Sequence, residues 1–192
     1  YVAFTVEKTK LKDLNGSSVI IWTTTPWTIP ANKALAFNEN LDYLIVEIED
    51  EGIFKNKKIV VAEALLDSVI KNCEIESYKK IKKFQGKEFK DTICKHPFLK
   101  LGYDHDIPML PARFVTIEQG TGIVHCAPSH GPDDFNLCLN HGIKAIETVD
   151  GDGKYTNNLP LFEGTHIFKA NPIIIEKLKE QKKLLSNGEL IH

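Results

Sequence analysis

The 192-residue sequence predicts an α+β domain in which many short strands form a barrel-like sheet and a few helices lie outside it. Three observations carry that prediction. Short apolar runs alternate with turn signals through the first half of the chain, which is the spacing of strands. Helical stripes are few and short. Finally, 42% of the residues are hydrophobic and 26% charged, enough apolar matter for one packed core at this length. No repeat or low-complexity tract divides the chain, so residues 1–192 read as a single domain.

The elements follow in order. Tyr1–Glu7 alternates, with Val2, Phe4 and Val6 on one face, and Asn15-Gly16 turns the chain into a β-branched run from Ser18 to Thr25. Pro26 and Pro30 interrupt that run, because proline cannot donate to a sheet ladder. Asp42–Glu49 and Lys58–Val61 read as strands around a turn near Glu51-Gly52, and Ala64, Leu65, Val69 and Ile70 make a helical stripe between Glu63 and Asn72. Tyr78–Phe84 and Ile107–Val115 are further strands, with Pro108 and Pro111 confining parts of the second to an edge or a bend. Gly120-Thr121-Gly122 is a turn feeding a strand at Ile123-Val124. Gly131-Pro132 opens a short helix with Asp133 and Asp134 at the positive end of its dipole, Phe135, Cys138 and Leu139 as its buried stripe, and Gly142 as its stop. Asp150-Gly151 and Asp152-Gly153 mark a tight turn. In the last helix Asn171 is the N-cap, Pro172 takes the first position, and Ile174, Ile175, Leu178 and Leu185 supply the apolar face.

Charge and composition exclude several roles. A formal net charge of −2 argues against a free-standing nucleic-acid binder, and Arg113 is the single arginine available for bidentate readout. The lysines within Tyr78–Phe84 and between Lys177 and Lys183 read as a solvated face. No apolar run is long enough for a membrane span, and Tyr1 to Lys10 lacks a signal-peptide core. Cys73, Cys94, Cys126 and Cys138 lie far apart, which fits free thiols in a reducing compartment; a zinc site of His125, Cys126 and His130 has the wrong ligand spacing. A start on Tyr, directly into a strand, suggests a piece of a longer protein.

Two segments carry chemistry. Residues 22–32, Trp-Thr-Thr-Thr-Pro-Trp-Thr-Ile-Pro-Ala-Asn, set hydroxyls beside aromatic rings where proline forces the chain out of a sheet. Such a place suits a sugar or a base, and equally a strand with solvent-facing hydroxyls. Residues 120–134 combine glycines that let a ligand approach the backbone with His125, Asp133 and Asp134. The aspartates alone would serve as helix-dipole partners, and His125 as a satisfied core histidine. The segment is no P-loop, since the Gly-Lys-Ser/Thr ending is missing.

Together the segments resemble the threonine-rich motif and the second motif of the isoleucyl-tRNA synthetase editing domain, in matching order along the chain. Phe168-Lys169-Ala170-Asn171 and the closing Glu189-Leu190-Ile191-His192 are similar to that domain's far end. The likeness covers essentially the whole sequence and is best to the bacterial and organellar branch. The valyl enzyme, the runner-up, usually has Lys where His125 stands, and the leucyl enzyme an Asp where Trp27 stands. Cys126 departs from the Thr often found there; on a strand it points away from His125, which suits packing.

The resemblance implies the family's editing fold, with mainly antiparallel strands. It implies hydrolysis of valine mischarged on the isoleucine tRNA, and of valyl adenylate as a further substrate. Asp134 then binds the α-amino group, His125 shapes the side-chain pocket, and Thr24, Thr25, Thr28 and Asn32 hold the terminal adenosine and position water. Thr25, Thr28 and Asp134 are the implied catalytic residues, and Trp27 packs beside the ligand or serves structure. Implied partners are the tRNA 3′ acceptor end and the rest of a parent synthetase, with no membrane and a monomeric state. No metal or cofactor is implied in this domain; ATP and Mg belong to the parent. The implied location is the cytoplasm or an organelle. A non-catalytic module binding the tRNA end is the alternative.

Overall fold

The computed structural model describes residues 1–188. Nine strands form one mixed sheet: β1 Val2–Lys8, β2 Ser18–Ile21, β3 Ala34–Phe37, β4 Asp42–Ile48, β5 Lys58–Ala62, β6 Tyr78–Gln85, β7 Ile93–Lys95, β8 Asp106–Pro111 and β9 Ile123–Cys126. Their order is β6-β4-β5-β2-β1-β7-β8-β3-β9. β2–β5 and β3–β8 pair in parallel, and the remaining neighbours are antiparallel. The sheet is curled but unclosed. Its far end returns to β4 and β5 through two bonds: the Ala62 amide donates to the Thr121 carbonyl at 2.8 Å, and the Tyr43 hydroxyl to the Gly122 carbonyl at 2.7 Å.

Gly122 makes this return feasible. Its φ is +77°, and a Cβ there would stand 2.4 Å from the Ala62 Cβ. The glycine therefore serves chain-to-chain packing, and the expected close approach of a ligand is replaced by the approach of β5.

Alternation along the strands feeds two cores. Val2, Phe4 and Val6 enter the larger one with Leu35, Phe37 and Tyr43. Ala3 faces the other, where Leu44, Val46 and Ile59 lie with Leu66 and Val69 of α1, Leu66–Asn72. The lysines of edge strand β6 are partly ion-paired: Lys82 meets Asp13 at 2.7 Å, and Lys83 meets Glu63 at 2.6 Å. Charged edges of this kind also discourage pairing with another chain.

The structure revises several elements. β2 ends at Ile21 instead of Thr25, and Pro26–Ala31 winds into a 3-10 turn that the two prolines start and stiffen. β3 and β7 are additional strands. β3 is buried on every residue and so shows no alternation, and β7 is only three residues long. β8 stops at Pro111, short of Val115. In α2, Pro132–Asn140, Cys138 is buried, but Phe135 and Leu139 are 42% and 53% exposed, so the expected stripe faces outward. The last helix, α3, runs Ile167–Glu180. His166 caps it by accepting from the Phe168 amide at 3.2 Å, which puts Asn171 and Pro172 inside the helix. Phe168 is 89% exposed and masks the first turn by breaking the apolar pattern. Leu185 lies beyond the helix, its amide bonded to the Tyr1 carbonyl. Glu189–His192 fall outside the described residues.

The four thiols are unpaired. Cys126 packs with Ala34, Ala36 and Cys138, on the face of β9 opposite His125. Among the described residues no helix is long and apolar enough to cross a membrane.

Candidate functional site

A cleft of about 490 Å³ opens between the segment after β2 and the β9–α2 junction. Thr24, Thr25, Thr28, His125 and Asp134, separated in sequence, all line it. The threonines reach it because β2 stops and the proline-initiated turn carries them off the sheet edge. Thr23 stabilises this departure, its hydroxyl accepting from the Thr25 amide at 3.1 Å.

One side of the cleft is a directed chain of hydrogen bonds. Asn32 Nδ2 donates to the Ala34 carbonyl at 2.9 Å and to His125 Nδ1 at 2.7 Å. The carbonyl fixes which end of the amide is the donor, so Nδ1 of His125 accepts and its proton sits on Nε2. Nε2–H then donates to the Thr28 hydroxyl at 2.8 Å, and that hydroxyl donates to the Thr25 carbonyl at 2.9 Å. Burial lowers the His125 pKa to about 3, and the nearby His130 adds to the shift, so the ring is neutral near pH 7. Asn32 Oδ1 is buried without a partner, an unsatisfied acceptor that costs stability behind the fixed imidazole.

Further histidines brace the same segment from behind. His96, fully buried, donates from Nε2 to the Ile29 carbonyl at 3.0 Å while its Nδ1 accepts from the Phe98 amide. His105 Nε2 bonds the Asn32 carbonyl at 3.2 Å. Both are held below the usual histidine pKa, chiefly by burial.

Across the cleft Asp134 is half-buried at the start of α2. Its Oδ2 accepts from the Ala127 amide at 2.8 Å. Gly131 leaves room for it, since a Cβ there would stand 3.2 Å from the carboxylate. Burial raises the Asp134 pKa against the lowering effect of that hydrogen bond, with Asp133 raising it further. Among the described residues no lysine, arginine or histidine forms an ion pair with it.

Asn32 and Trp27 sit differently from the other expected residues. Asn32 is fully buried behind His125, and the Trp27 ring packs edge-on against His130 at 4.8 Å, outside the cleft lining. Trp22, Gln119 and His130 line the cleft without having been singled out for it. His130, whose Nε2 meets the Thr148 hydroxyl at 2.8 Å, had a signal in its closeness to Asp134; Gln119 had none. Among the described residues no three His, Cys, Asp or Glu side chains gather as they would around a metal ion.

The family model described as leucyl-tRNA synthetase, editing domain, matches residues 3–184. The isoleucine–tRNA ligase of Pelagibacter ubique is 83% identical over all 192 residues, and that of Gluconobacter oxydans 40% identical over 95% of the chain. The chain spans about a fifth of their length, 21% and 20%. Among solved structures, GlLeuRS-CP1 superposes with a TM-score of 0.71 at 14% identity, covering 98% of this chain and 99% of its own. The Plasmodium knowlesi cytosolic leucyl-tRNA synthetase editing domain superposes with a TM-score of 0.67 at 11% identity, covering 95% and 93%. These two support the fold. The family model and the ligase sequences establish that the chain belongs to the leucyl-tRNA synthetase editing-domain family, as an editing domain of the isoleucine–tRNA ligase kind.

Proposed function

We propose that the domain removes wrongly attached valine from the isoleucine tRNA by hydrolysing the ester at the tRNA 3′ end. Asp134 carries this reading. A half-buried carboxylate in a cleft, with a raised pKa and no cationic side chain against it, has an unmet demand for a positive ligand. The α-ammonium of an aminoacyl ester meets that demand in a charge-assisted bond worth about 1.5–3 kcal/mol. Oδ2 is occupied by the Ala127 amide, so Oδ1 is the atom offered.

His125 supports the choice of amino acid. Its ring is locked by bonds on both nitrogens, so it is a neutral, inflexible wall. One methylene separates isoleucine from valine, worth only about 1–3 kcal/mol in an apolar pocket, a general figure for which this enzyme class is itself the reference case. A wall that cannot yield turns that methylene into a clash.

Hydrolysis needs an oriented water. The Thr28 proton is committed to the Thr25 carbonyl, which leaves the Thr24 and Thr25 hydroxyls to place water and the adenosine ribose. His125 cannot take a proton, because its one lone pair is used by Asn32 and its pKa is about 3. In this reading the water oxygen attacks the ester carbonyl and its proton passes, by way of the free ribose hydroxyl, to the departing ribose oxygen, releasing valine and an uncharged tRNA end. The rest of the synthetase delivers the tRNA and performs the ATP- and Mg-dependent ligation.

The test is deacylation of valyl- and isoleucyl-tRNA by the chain and two variants. The unaltered chain should cleave the valyl ester and spare the isoleucyl one. Asp134→Ala should slow valyl cleavage roughly 10–100-fold, and His125→Ala should admit the isoleucyl ester. Tight binding of valyl-tRNA without cleavage would replace this reading with that of a non-catalytic binding module.

A further inference from the structure

We infer that Asn171 of α3 and Tyr155 are positioning residues for the hydrolysis, acting through the backbone of Trp27; the inference rests on the deacylase reading. Neither residue lines the cleft with Asp134. Their side chains instead take both hydrogen-bonding groups of one residue: the Trp27 amide donates to Asn171 Oδ1 at 2.9 Å, and the Tyr155 hydroxyl donates to the Trp27 carbonyl at 2.5 Å.

Trp27 is where such a grip has leverage. It lies between Thr25 and Thr28 in the 3-10 turn, which belongs to no strand pairing. Its amide is one of the first-turn donors that a helix cannot satisfy internally, and here the missing acceptor arrives from a helix 144 residues away in sequence. Tyr155 is 1% exposed, so its hydroxyl bond is sheltered from bulk water. The Trp27 indole meets the His130 ring edge-on at 4.8 Å, and His130, from the β9–α2 junction, lines the cleft together with Asp134. A displacement of Trp27 therefore moves Thr28 through the chain and His130 through ring contact. One backbone position couples both sides of the site.

The chemistry of the grip makes it testable. Asn171 contributes only an acceptor, so aspartate should replace it and alanine should not. Tyr155→Phe removes one hydroxyl and keeps the ring. The experiment measures kcat and KM for valyl-tRNA deacylation, melting temperature, and amide and histidine-ring NMR signals, in the 192-residue chain and in Asn171→Ala, Asn171→Asp and Tyr155→Phe. Asn171→Ala and Tyr155→Phe should lower kcat about tenfold with KM changed less than about twofold, while melting stays above the assay temperature. Asn171→Asp should restore kcat. The Trp27, Thr28 and His130 signals should move in Asn171→Ala and return in Asn171→Asp.

Unchanged kcat, an effect on KM alone, or failure of aspartate to restore the rate overturns the inference. Should Asn171→Ala not fold, Asn171→Gln takes its place. It carries the acceptor one methylene further out and should show an intermediate kcat; a normal or abolished kcat with native spectra overturns the inference. If the unaltered chain does not cleave valyl-tRNA, the functional reading fails by itself, and the spectra still decide whether Asn171 sets the positions of Thr28 and His130.

Discussion

The turn from Ala127 to Phe135, which carries Asp134, is tied mainly by its own chain, whereas the threonine wall is held from a distance. In the first, the Asp134 carboxylate takes the Ala127 amide seven residues earlier, the His130 amide bonds the Ala127 carbonyl, and the Phe135 amide bonds the Gly131 carbonyl. In the second, Trp27 is gripped by Tyr155 and Asn171, Ile29 by His96, Asn32 by His105, and Thr28 by His125. A locally tied wall is specified by a short motif and tolerates change elsewhere. A remotely held wall exists only once the whole domain has closed around it, so it answers to perturbations far from the ligand.

Acid should separate the two most strongly. His96, His105 and His125 are neutral in the fold with pKa values below the unfolded 6.5, so the unfolded chain binds more protons as pH falls. Their contribution is intact above about pH 6.5 and is lost as pH drops toward the folded values, for His125 toward about 3. For His125 the cost is roughly 1 kcal/mol per pH unit while it stays neutral in the fold. Urea unfolding at pH 7.5 and 5 should register a loss of stability to which His125 alone contributes about 2 kcal/mol, with His96 and His105 adding in the same direction; a flat profile would detach the histidines from the threonine wall.

Gly122→Ala strikes the entry to β9 instead. With φ at +77° and Ala62 Cβ 2.4 Å from the new atom, the cost should be about 2–4 kcal/mol, read as a lowered melting temperature. A near-native melt would mean that this return of the sheet is slack.

The smallest effect sharpens the comparison. Asp134→Asn keeps an acceptor for the Ala127 amide and removes a desolvated charge. Because the Asp134 pKa is raised, the folded state holds its proton to higher pH than the unfolded chain does, and above that window the ionised group lowers stability. The variant should therefore melt about a degree higher at pH 7 while losing valyl-tRNA cleavage. A lower melt would show that the charge itself holds the β9–α2 wall together.

Legibility followed the same division. The glycine turn, β9 and the opening of α2 were readable because each signal is local: a glycine at positive φ, a Gly-Pro start, acids in a first turn. Thr24, Thr25 and Thr28 were recognisable by motif, but their mounting was not. Nothing near Asn171 announces an acceptor for a distant amide, and its place before Pro172 imitates a helix cap. Asn32 belongs to the same threonine-rich motif, which implies ligand contact, and only the register of β3 with β9 puts it behind His125. Exposed Phe135 and Leu139 misled in the opposite sense, since amphipathic spacing says that a face exists and not that anything covers it.

That uncovered face of α2 has a kinetic consequence. With Cys138 as its one buried residue, α2 has little apolar surface to lose when it lifts, whereas β3 beneath it is buried throughout. Local opening draws on the least buried segments, so the amides of α2 should exchange before those of β3 in hydrogen-exchange measurements. The Asp134 carboxylate thus sits on the looser jaw, and the threonines belong to the anvil.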